Sequence, residues 1–218
     1  MMNKTITAVL TIAFAGVAQA QSPTAVMERA VKVYSEMRSM RADFQQTITN
    51  PLTGTTATSR GVILRKDPNL LSITFSDPRG DRIVSDGRSL WVYLPSSAPG
   101  QVMKMPASAR GSMGMVDPGG LFLTSPATRY TITGGESVTI NGRKTTVVNL
   151  VPKSANNAFS RARVWVDGSD YSVVQFEVVD VNGLTRRVSI SNVRANAAIG
   201  SEEFSFRPPR GTRVVSGM

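Results

Sequence analysis

The sequence contains no cysteine and no histidine. Without cysteine there can be no disulfide bond, no thiolate metal site and no lipid anchor on a cysteine after a signal peptide. Without histidine the chain lacks the usual general base, the usual partner of a serine nucleophile and the commonest metal ligand. We therefore expect no metal, no cofactor and no enzymatic activity. The fold has to be stable through its hydrophobic core alone, which is feasible for 218 residues.

Long apolar runs are also scarce, and the one that is present lies at the N-terminus. Residues 1–20 begin with a basic residue, Lys4, continue with a short apolar run and end on Ala18-Gln19-Ala20. This is the layout of a cleavable secretory signal, and the run is shorter than the ~20 residues of a membrane-spanning helix. The sequence predicts a signal peptide over residues 1–20 and a soluble, exported single domain over residues 21–218.

Acidic residues are the minority: there are 15 of them against 25 basic residues, which gives a net charge of +10. The basic residues are scattered, and among the arginines only Arg186 and Arg187 are adjacent. A nucleic-acid surface would cluster its basic residues and interleave them with aromatic ones. We expect no nucleic-acid partner. The charge favours a solvated surface with some attraction for anionic headgroups or an acidic docking face.

Hydrophobic periodicity divides the chain into one helix and many strands. Ser22-Pro23 is a helix start, and apolar residues at helical spacing follow as far as residue 38. From Phe44 the period changes to two, and about a dozen short segments alternate with turn pairs such as Asp86-Gly87 and Asn141-Gly142. The pattern predicts one mainly β domain, built on a large curved antiparallel sheet.

One predicted strand, in the stretch VSDGRSLWVYLP, is apolar on both of its faces. Leu90 and Val92 point to one side, and Trp91 and Tyr93 point to the other. A half-buried strand would normally alternate apolar and polar residues, so a second element has to cover this one.

Residues 106–128 supply a candidate for that cover. Pro, Gly and Ser break any regular strand there, yet the segment is rich in methionine and leucine. A loop this apolar is expected to cover something, so we predict one or two short helices over an apolar surface. Together with the helix at residues 23–38 it would roof the concave face of the sheet. Periodicity leaves open whether a solid core or a cavity lies beneath.

Four stretches resemble the LolA-type periplasmic carriers of outer-membrane lipoproteins: RADFQQ after the helix, the hairpin LRKDPNLLSITF, VSDGRSLWVYLP, and the closing FSFRPPRGTRVV. The last two are the most specific, and their order and spacing match along the mature chain. The resemblance implies an incomplete, half-open antiparallel β-barrel of about eleven strands, with a helical lid over an apolar cavity.

The same resemblance implies a function and partners. The protein would be a periplasmic monomer that binds lipoprotein acyl chains. It would receive them from an inner-membrane lipoprotein-releasing ABC transporter and pass them to an outer-membrane lipoprotein acceptor. The absence of cysteine after the signal fits the soluble carrier rather than the lipid-anchored acceptor.

Candidate site residues follow from the resemblance together with strand alternation. The family's cavity-lining positions on the third strand fall on Leu71, Ile73 and Phe75. Methionine suits a surface that must hold and release varied chains, because it is flexible and polarizable. The further predicted acyl-chain contacts are Trp91, Tyr93, Met103 and Met105. The predicted lid residues are Val26, Val33, Met37, Met113, Met115, Leu121 and Phe122.

The lid latch departs from the family pattern. In the family an arginine just before the hairpin proline bonds to the lid backbone, whereas Asp67 precedes Pro68 here. The nearest cations are Arg65 and Lys66, which alternation sends to opposite faces. We expect Arg65 to be the latch, because a planar guanidinium can bond two carbonyls at once.

Two other classes of function stay open. A half-barrel periplasmic sensor of lipids or lipoproteins would share the fold and signal to a membrane partner. A hydrolase would need a carboxylate pair such as Asp81 and Asp86. Both lie at predicted turns, where aspartate is common for backbone reasons, so the sequence favours no enzyme.

Overall fold

The computed structural model describes residues 21–108, 121–155 and 159–217. The predicted signal peptide lies outside the described residues, and so do Met113 and Met115 of the predicted lid. None of the helices in these ranges is both long and apolar enough to cross a membrane.

One helix opens the described chain and strands make up most of the rest. The helix α1 spans Pro23–Glu36, and a short helix α2 spans Pro126–Arg129 just before β7. A 3-10 turn covers Ser201–Phe204. The strands are β1 Ser39–Thr49, β2 Thr56–Lys66, β3 Leu70–Asp77, β4 Arg79–Asp86, β5 Ser89–Tyr93, β6 Gln101–Pro106, β7 Tyr130–Ile140, β8 Arg143–Pro152, β9 Phe159–Asp167, β10 Val173–Asp180, β11 Thr185–Ala195 and β12 Arg213–Ser216.

The start of α1 is as the sequence predicts. Ser22 Oγ accepts a hydrogen bond from the Ala25 backbone N–H at 3.2 Å, and Pro23 opens the first turn. Val26, Met27 and Ala30 form the buried stripe of the helix.

The twelve strands belong to one sheet, in the order β12-β6-β5-β4-β3-β2-β1-β11-β10-β9-β8-β7. Neighbouring strands are antiparallel, except that β12 runs parallel to β6. The two edge strands, β7 and β12, are not neighbours, so the sheet stays open. The predicted incomplete barrel is confirmed, with β12 as the strand beyond the expected eleven.

The inner face of this sheet carries the main core. One contiguous cluster includes α1, the inward side chains of β1 to β5, residues 121–123 and the inward side chains of β8 to β11. Successive side chains of a strand point to opposite faces of the pleated sheet, so the apolar ones determine which face is inside.

The outer face of β5 has a different cover from the one the sequence suggested. Trp91 and Tyr93 each lie 5.8 Å, ring centroid to centroid, from Phe206 of the C-terminal segment. Lys104 Nζ sits 4.8 Å from the centre of the Trp91 ring. The chain's own C-terminal segment therefore packs on these two aromatics, at the place where the sequence suggested a lid or a bound ligand.

Gly61 of β2 is required by the packing of two aromatic rings. Phe44 and Phe75 meet edge to face at 5.3 Å on the inner side of the sheet. A Cβ atom at Gly61 would lie 2.1 Å from the Thr74 carbonyl oxygen and 2.9 Å from the Phe44 ring. No side chain other than hydrogen fits there without moving backbone.

We expect Gly61→Ala to lower the free energy of unfolding by about 1–3 kcal/mol or more, through overpacking against backbone. Urea denaturation followed by circular dichroism measures this. Gly200→Ala is the matched control, since the added methyl would meet only the end of the exposed Glu202 side chain, which can move. Equal stability of the two variants would show that β2 can shift at Gly61.

Candidate functional site

The inner face of β3 lies in the interior of the half-barrel. Leu71 and Ile73 are fully buried and Phe75 is nearly so. Ile73 is flanked by Ile63 of β2 and Ile83 of β4 in the strand register. The structure thus places these three β3 side chains on the predicted face, and their contact with acyl chains stays a prediction.

The two methionines of β6 also face inward. Strand register sets Met105 opposite Leu90 and Met103 opposite Val92, and paired residues share a face. Met105 is partly buried against the core, whereas Met103 is 40% exposed near the edge of the sheet. Trp91 and Tyr93 are on the other face and do not line this interior.

Helix α1 covers the interior from the side of β7, β8 and β9. Val26 is buried there, and Val33 and Met37 are half-buried. The last two border a space of only about 30 Å³ between the helix and the sheet. Such a space holds one or two water molecules at most, so helix and sheet are in close contact along this part of the described chain.

Residues 121–123 form a second cover beside α1. Phe122 is fully buried, with its ring 5.9 Å from Phe159 and 5.3 Å from Phe176. Tyr130 donates a hydrogen bond from its hydroxyl to the Leu121 carbonyl at 2.8 Å. Burial raises the pKa of Tyr130, which keeps this donor protonated. Leu121 and Phe122 therefore lie over the inner face, where the lid prediction put them.

Arg65 joins the sheet to the C-terminal end of α1. Its guanidinium donates to the carbonyl oxygens of Met37 and, at 3.4 Å, of Tyr34. It also lies 4.2 Å from the centre of the Tyr34 ring and 2.9 Å from the Asp67 carboxylate. The last carbonyls of a helix have no partners within the helix and carry partial negative charge, so a cation is favoured there.

Lys66 points to the opposite face, as alternation predicts, and donates from Nζ to the Ile199 carbonyl at 3.1 Å. The structure also offers a physical reason for the departure from the family pattern. Asp67, which stands before Pro68 in place of the family's arginine, accepts from Arg65 and orients it toward the helix. The geometry agrees with the choice of Arg65 over Lys66, while the latching role itself stays a prediction.

A cavity of about 370 Å³ opens at the other end of the half-barrel. It lies where β1, β3 and β5 end and β2, β4 and β11 begin. Ser59, on its wall, is six residues from Arg65 along β2, or about 20 Å. Its apolar wall is formed by Ile48, Ala57, Phe75, Ile83, Val92 and Leu94.

Polar residues also border this end cavity: Gln46, Thr58, Ser59, Asp81, Ser96, Ser97 and Arg186. Burial lowers the pKa of Arg186, and the charge of nearby Asp180 offsets part of that effect. Sequence reasoning missed this site, because it depends on the pairing of β1 with β11, whose residues are about 140 positions apart. The available signal was Arg186, a charged residue that strand alternation places on the inner face.

Asp81 and Asp86 do not form a catalytic pair. They lie at opposite ends of β4, five residues or about 16 Å apart. Asp81 accepts from the Ser96 backbone N–H at 3.1 Å and from its hydroxyl at 2.6 Å. Burial would raise the pKa of Asp86, but backbone N–H groups of Ser89 and Arg88 outweigh it and lower that pKa. Both carboxylates are engaged in holding turns.

A larger groove of about 630 Å³ lies beside the β9–β10 turn, but its chemistry is polar. Asp167 accepts there from Arg143 at 2.6 Å and from the Ser169 backbone at 2.7 Å. Burial tends to raise the pKa of Asp167, but hydrogen bonds from Ser169 and Asp170 and the charge of Arg143 bring it below its ordinary value. This network holds the turn and offers no apolar wall.

An open half-barrel, with an apolar inner face beneath a helical cover, is the class of protein that this fold and site define. The chain belongs to the LolA family: the family model described as outer membrane lipoprotein carrier protein LolA matches residues 35–207. The match includes the last two residues of α1, Arg65, the cavity walls and the 3-10 turn, and it confirms the resemblance seen in the sequence.

Relatives cover most of the chain. An outer-membrane lipoprotein carrier protein of Chromobacterium violaceum is 30% identical over 205 residues, or 93% of each chain. One from Methylibium petroleiphilum is 25% identical over 190 residues, or 84% of this chain and 85% of its own. Among solved structures, an uncharacterized conserved protein from Thermus thermophilus has a TM-score of 0.57 and 12% identity, covering 90% of this chain and 100% of that one. The last match shows a shared fold.

We expect Arg65→Leu to loosen α1. The helix loses two charge-assisted hydrogen bonds at its C-terminal end, so its amide hydrogens should exchange at least about tenfold faster. Hydrogen–deuterium exchange read by mass spectrometry measures this. Lys66→Leu is the neighbouring control on the outer face and should leave α1 unchanged. Equal protection of α1 in both variants would mean that packing alone holds the helix down.

Proposed function

We propose that the protein is a periplasmic carrier that shields the acyl chains of lipoproteins within its half-barrel. One observation carries the proposal: the continuous apolar inner face of an open sheet lies under a helix tied down by one arginine. The names of the curated relatives support the same cargo. The role is binding and transfer, and no chemical step is proposed.

The physics of the cargo sets what such a carrier must do. Each buried CH₂ group contributes about 0.8 kcal/mol, so a lipid anchor of several chains cannot leave a membrane unaided. The carrier has to offer a comparable apolar surface and then give the chains up. An interior covered by a detachable helix meets both needs, since helix and cargo compete for the same inner face.

The route of the cargo is proposed on the family resemblance. The carrier would load at an inner-membrane lipoprotein-releasing ABC transporter and unload at an outer-membrane lipoprotein acceptor. It would act as a monomer, after removal of residues 1–20, through the single domain of residues 21–218. A half-barrel sensor would use the same interior without handing its ligand on, so transfer separates the two functions.

Binding of acyl chains is tested by placing a carboxylate on the cavity wall. Leu71 lies in filled core, where a charge would also disturb folding, whereas Leu94 is half-buried and borders the end cavity. Leu94→Glu should weaken binding of a fluorescent fatty acid by about tenfold or more, because the carboxylate loses solvation beside an acyl chain. Its thermal midpoint should shift by no more than a few degrees.

Leu52→Glu is the matched control, since Leu52 is 86% exposed in the β1–β2 loop. It should bind the fatty acid like the native protein. If Leu94→Glu and Leu52→Glu bind equally well, the end cavity does not take acyl chains. If the native protein binds neither the fatty acid nor an acylated peptide, the carrier function is excluded.

Release of cargo is tested through the latch. Arg65→Leu should load lipoprotein but pass it on more slowly, because the closed, empty state loses the hydrogen bonds that help it compete with cargo. A transfer assay from loaded carrier to purified acceptor measures this, and Lys66→Leu should transfer at the native rate. Impaired transfer by Lys66→Leu alone would reverse the assignment. Binding without any transfer by the native protein would favour the sensor.

A further inference from the structure

The end cavity has a cation, Arg186, beside its apolar wall and among several polar side chains. Arg186 of β11 is paired in register with Ile48 of β1 and Val178 of β10. Val178 is buried in the main core, which puts Arg186 on the inner face with it. A guanidinium placed beside an apolar wall gives up solvation, and a ligand carbonyl would add to the compensation that its protein partners provide.

A second polar group faces the same cavity with unused bonding capacity. Gln46 is 6% exposed and donates from Nε2 to Ser59 Oγ at 3.1 Å. Its Oε1 has no hydrogen-bond partner among the described residues. Exchanging the two amide atoms would leave Nε2 unmatched instead, so one amide atom is available in either orientation.

We infer that Arg186 and Gln46 form a subsite for the linkage that joins an acyl chain to its carrier molecule, an amide or ester carbonyl. This inference rests on the proposed function and names the part of the cargo that the end cavity binds. The carbonyl oxygen accepts from Arg186, and the N–H of an amide linkage donates to Gln46. The chain itself lies along the apolar wall and points toward Arg65.

The balance of charge in the cavity favours a neutral head over an anionic one. Asp81, 5% exposed, borders the same cavity, and Asp180 is also near Arg186, so the guanidinium already has carboxylates close to it. A free fatty acid would bring a further negative charge into this poorly solvated space, and a phosphate would bring more. An amide or ester linkage offers a carbonyl dipole without that repulsion.

The position of the subsite also fits a tethered ligand. It lies at the end of the half-barrel opposite the latch, about 20 Å along β2 from Arg65. A linkage held there leaves the attached polypeptide outside the interior. The acyl chain then runs inward, toward the segment of the inner face that α1 covers.

Isothermal titration of an N-palmitoylated tripeptide amide tests the subsite, with the carbonyl-free apolar dye N-phenyl-1-naphthylamine as comparison ligand. Arg186→Met should weaken peptide binding about tenfold and leave dye binding unchanged, because it removes a charge-assisted hydrogen bond but keeps an apolar stem. Arg187→Met is the control. That neighbour is exposed and bonds to Glu177 at 2.9 Å, so its variant should bind both ligands normally.

Gln46→Met is a second, independent test of the subsite. It removes the unmatched amide atom together with the bond to Ser59, so affinity for the palmitoylated peptide should fall about threefold to tenfold while dye binding stays unchanged. Equal losses for peptide and dye in Arg186→Met would overturn the subsite, as would Arg186-dependent binding of palmitate in preference to the peptide. A native protein that binds neither peptide nor dye would overturn the carrier function itself.

Discussion

An apolar face on an open sheet must be covered by something other than the sheet. The two edge strands of this half-barrel do not meet, so closure by strand pairing is not available. Helix α1 and residues 121–123 keep water from the inner face instead. The aromatic contacts of Phe122, the capping of α1 by Ser22 and the placement of Arg65 all serve that cover. Because the cover consists of elements separate from the sheet, it can also move away from the inner face.

The number of hydrogen-bond acceptors around Arg65 depends on whether α1 is in place. With α1 in place, its donors meet the helix carbonyls and Asp67, and its planar face meets the Tyr34 ring. If α1 moves away, the same guanidinium is left beside the apolar side chains of β1 and β3 with fewer acceptors. We expect the loss of these hydrogen bonds to bias the empty protein toward closure.

Local signals in the sequence were sufficient wherever one face of an element is clearly apolar. Ser22-Pro23 marks the start of α1, and alternation sends Leu71, Ile73 and Phe75 inward. Alternation also separates Arg65 from Lys66. In each case the determining residues are neighbours in the chain, so no knowledge of distant pairing is required.

The sequence was ambiguous where both faces of a strand are apolar. Alternation separates Trp91 from Leu90 in β5 but cannot tell which side is inner. That is settled by Phe206, more than a hundred residues away, which packs on the outer face. The end cavity escaped notice for the same reason, since Arg186 gains its meaning only when β11 is paired with β1. Long-range register carries information that local periodicity lacks.

The interior is unevenly filled, and this unevenness bears on how cargo would enter. Among the described residues, a space of about 30 Å³ lies next to α1, whereas about 370 Å³ is open at the far end, bordered by Leu94 and Ile48. A ligand that enters the open end meets preformed walls and has little ordering cost to offset. Only its further advance requires α1 to leave. On the proposed function, loading therefore divides into capture at the preformed end and displacement at the latched end. The free energy of capture can drive displacement of the helix, because each contact that the acyl chain adds to the inner face replaces one that the helix loses.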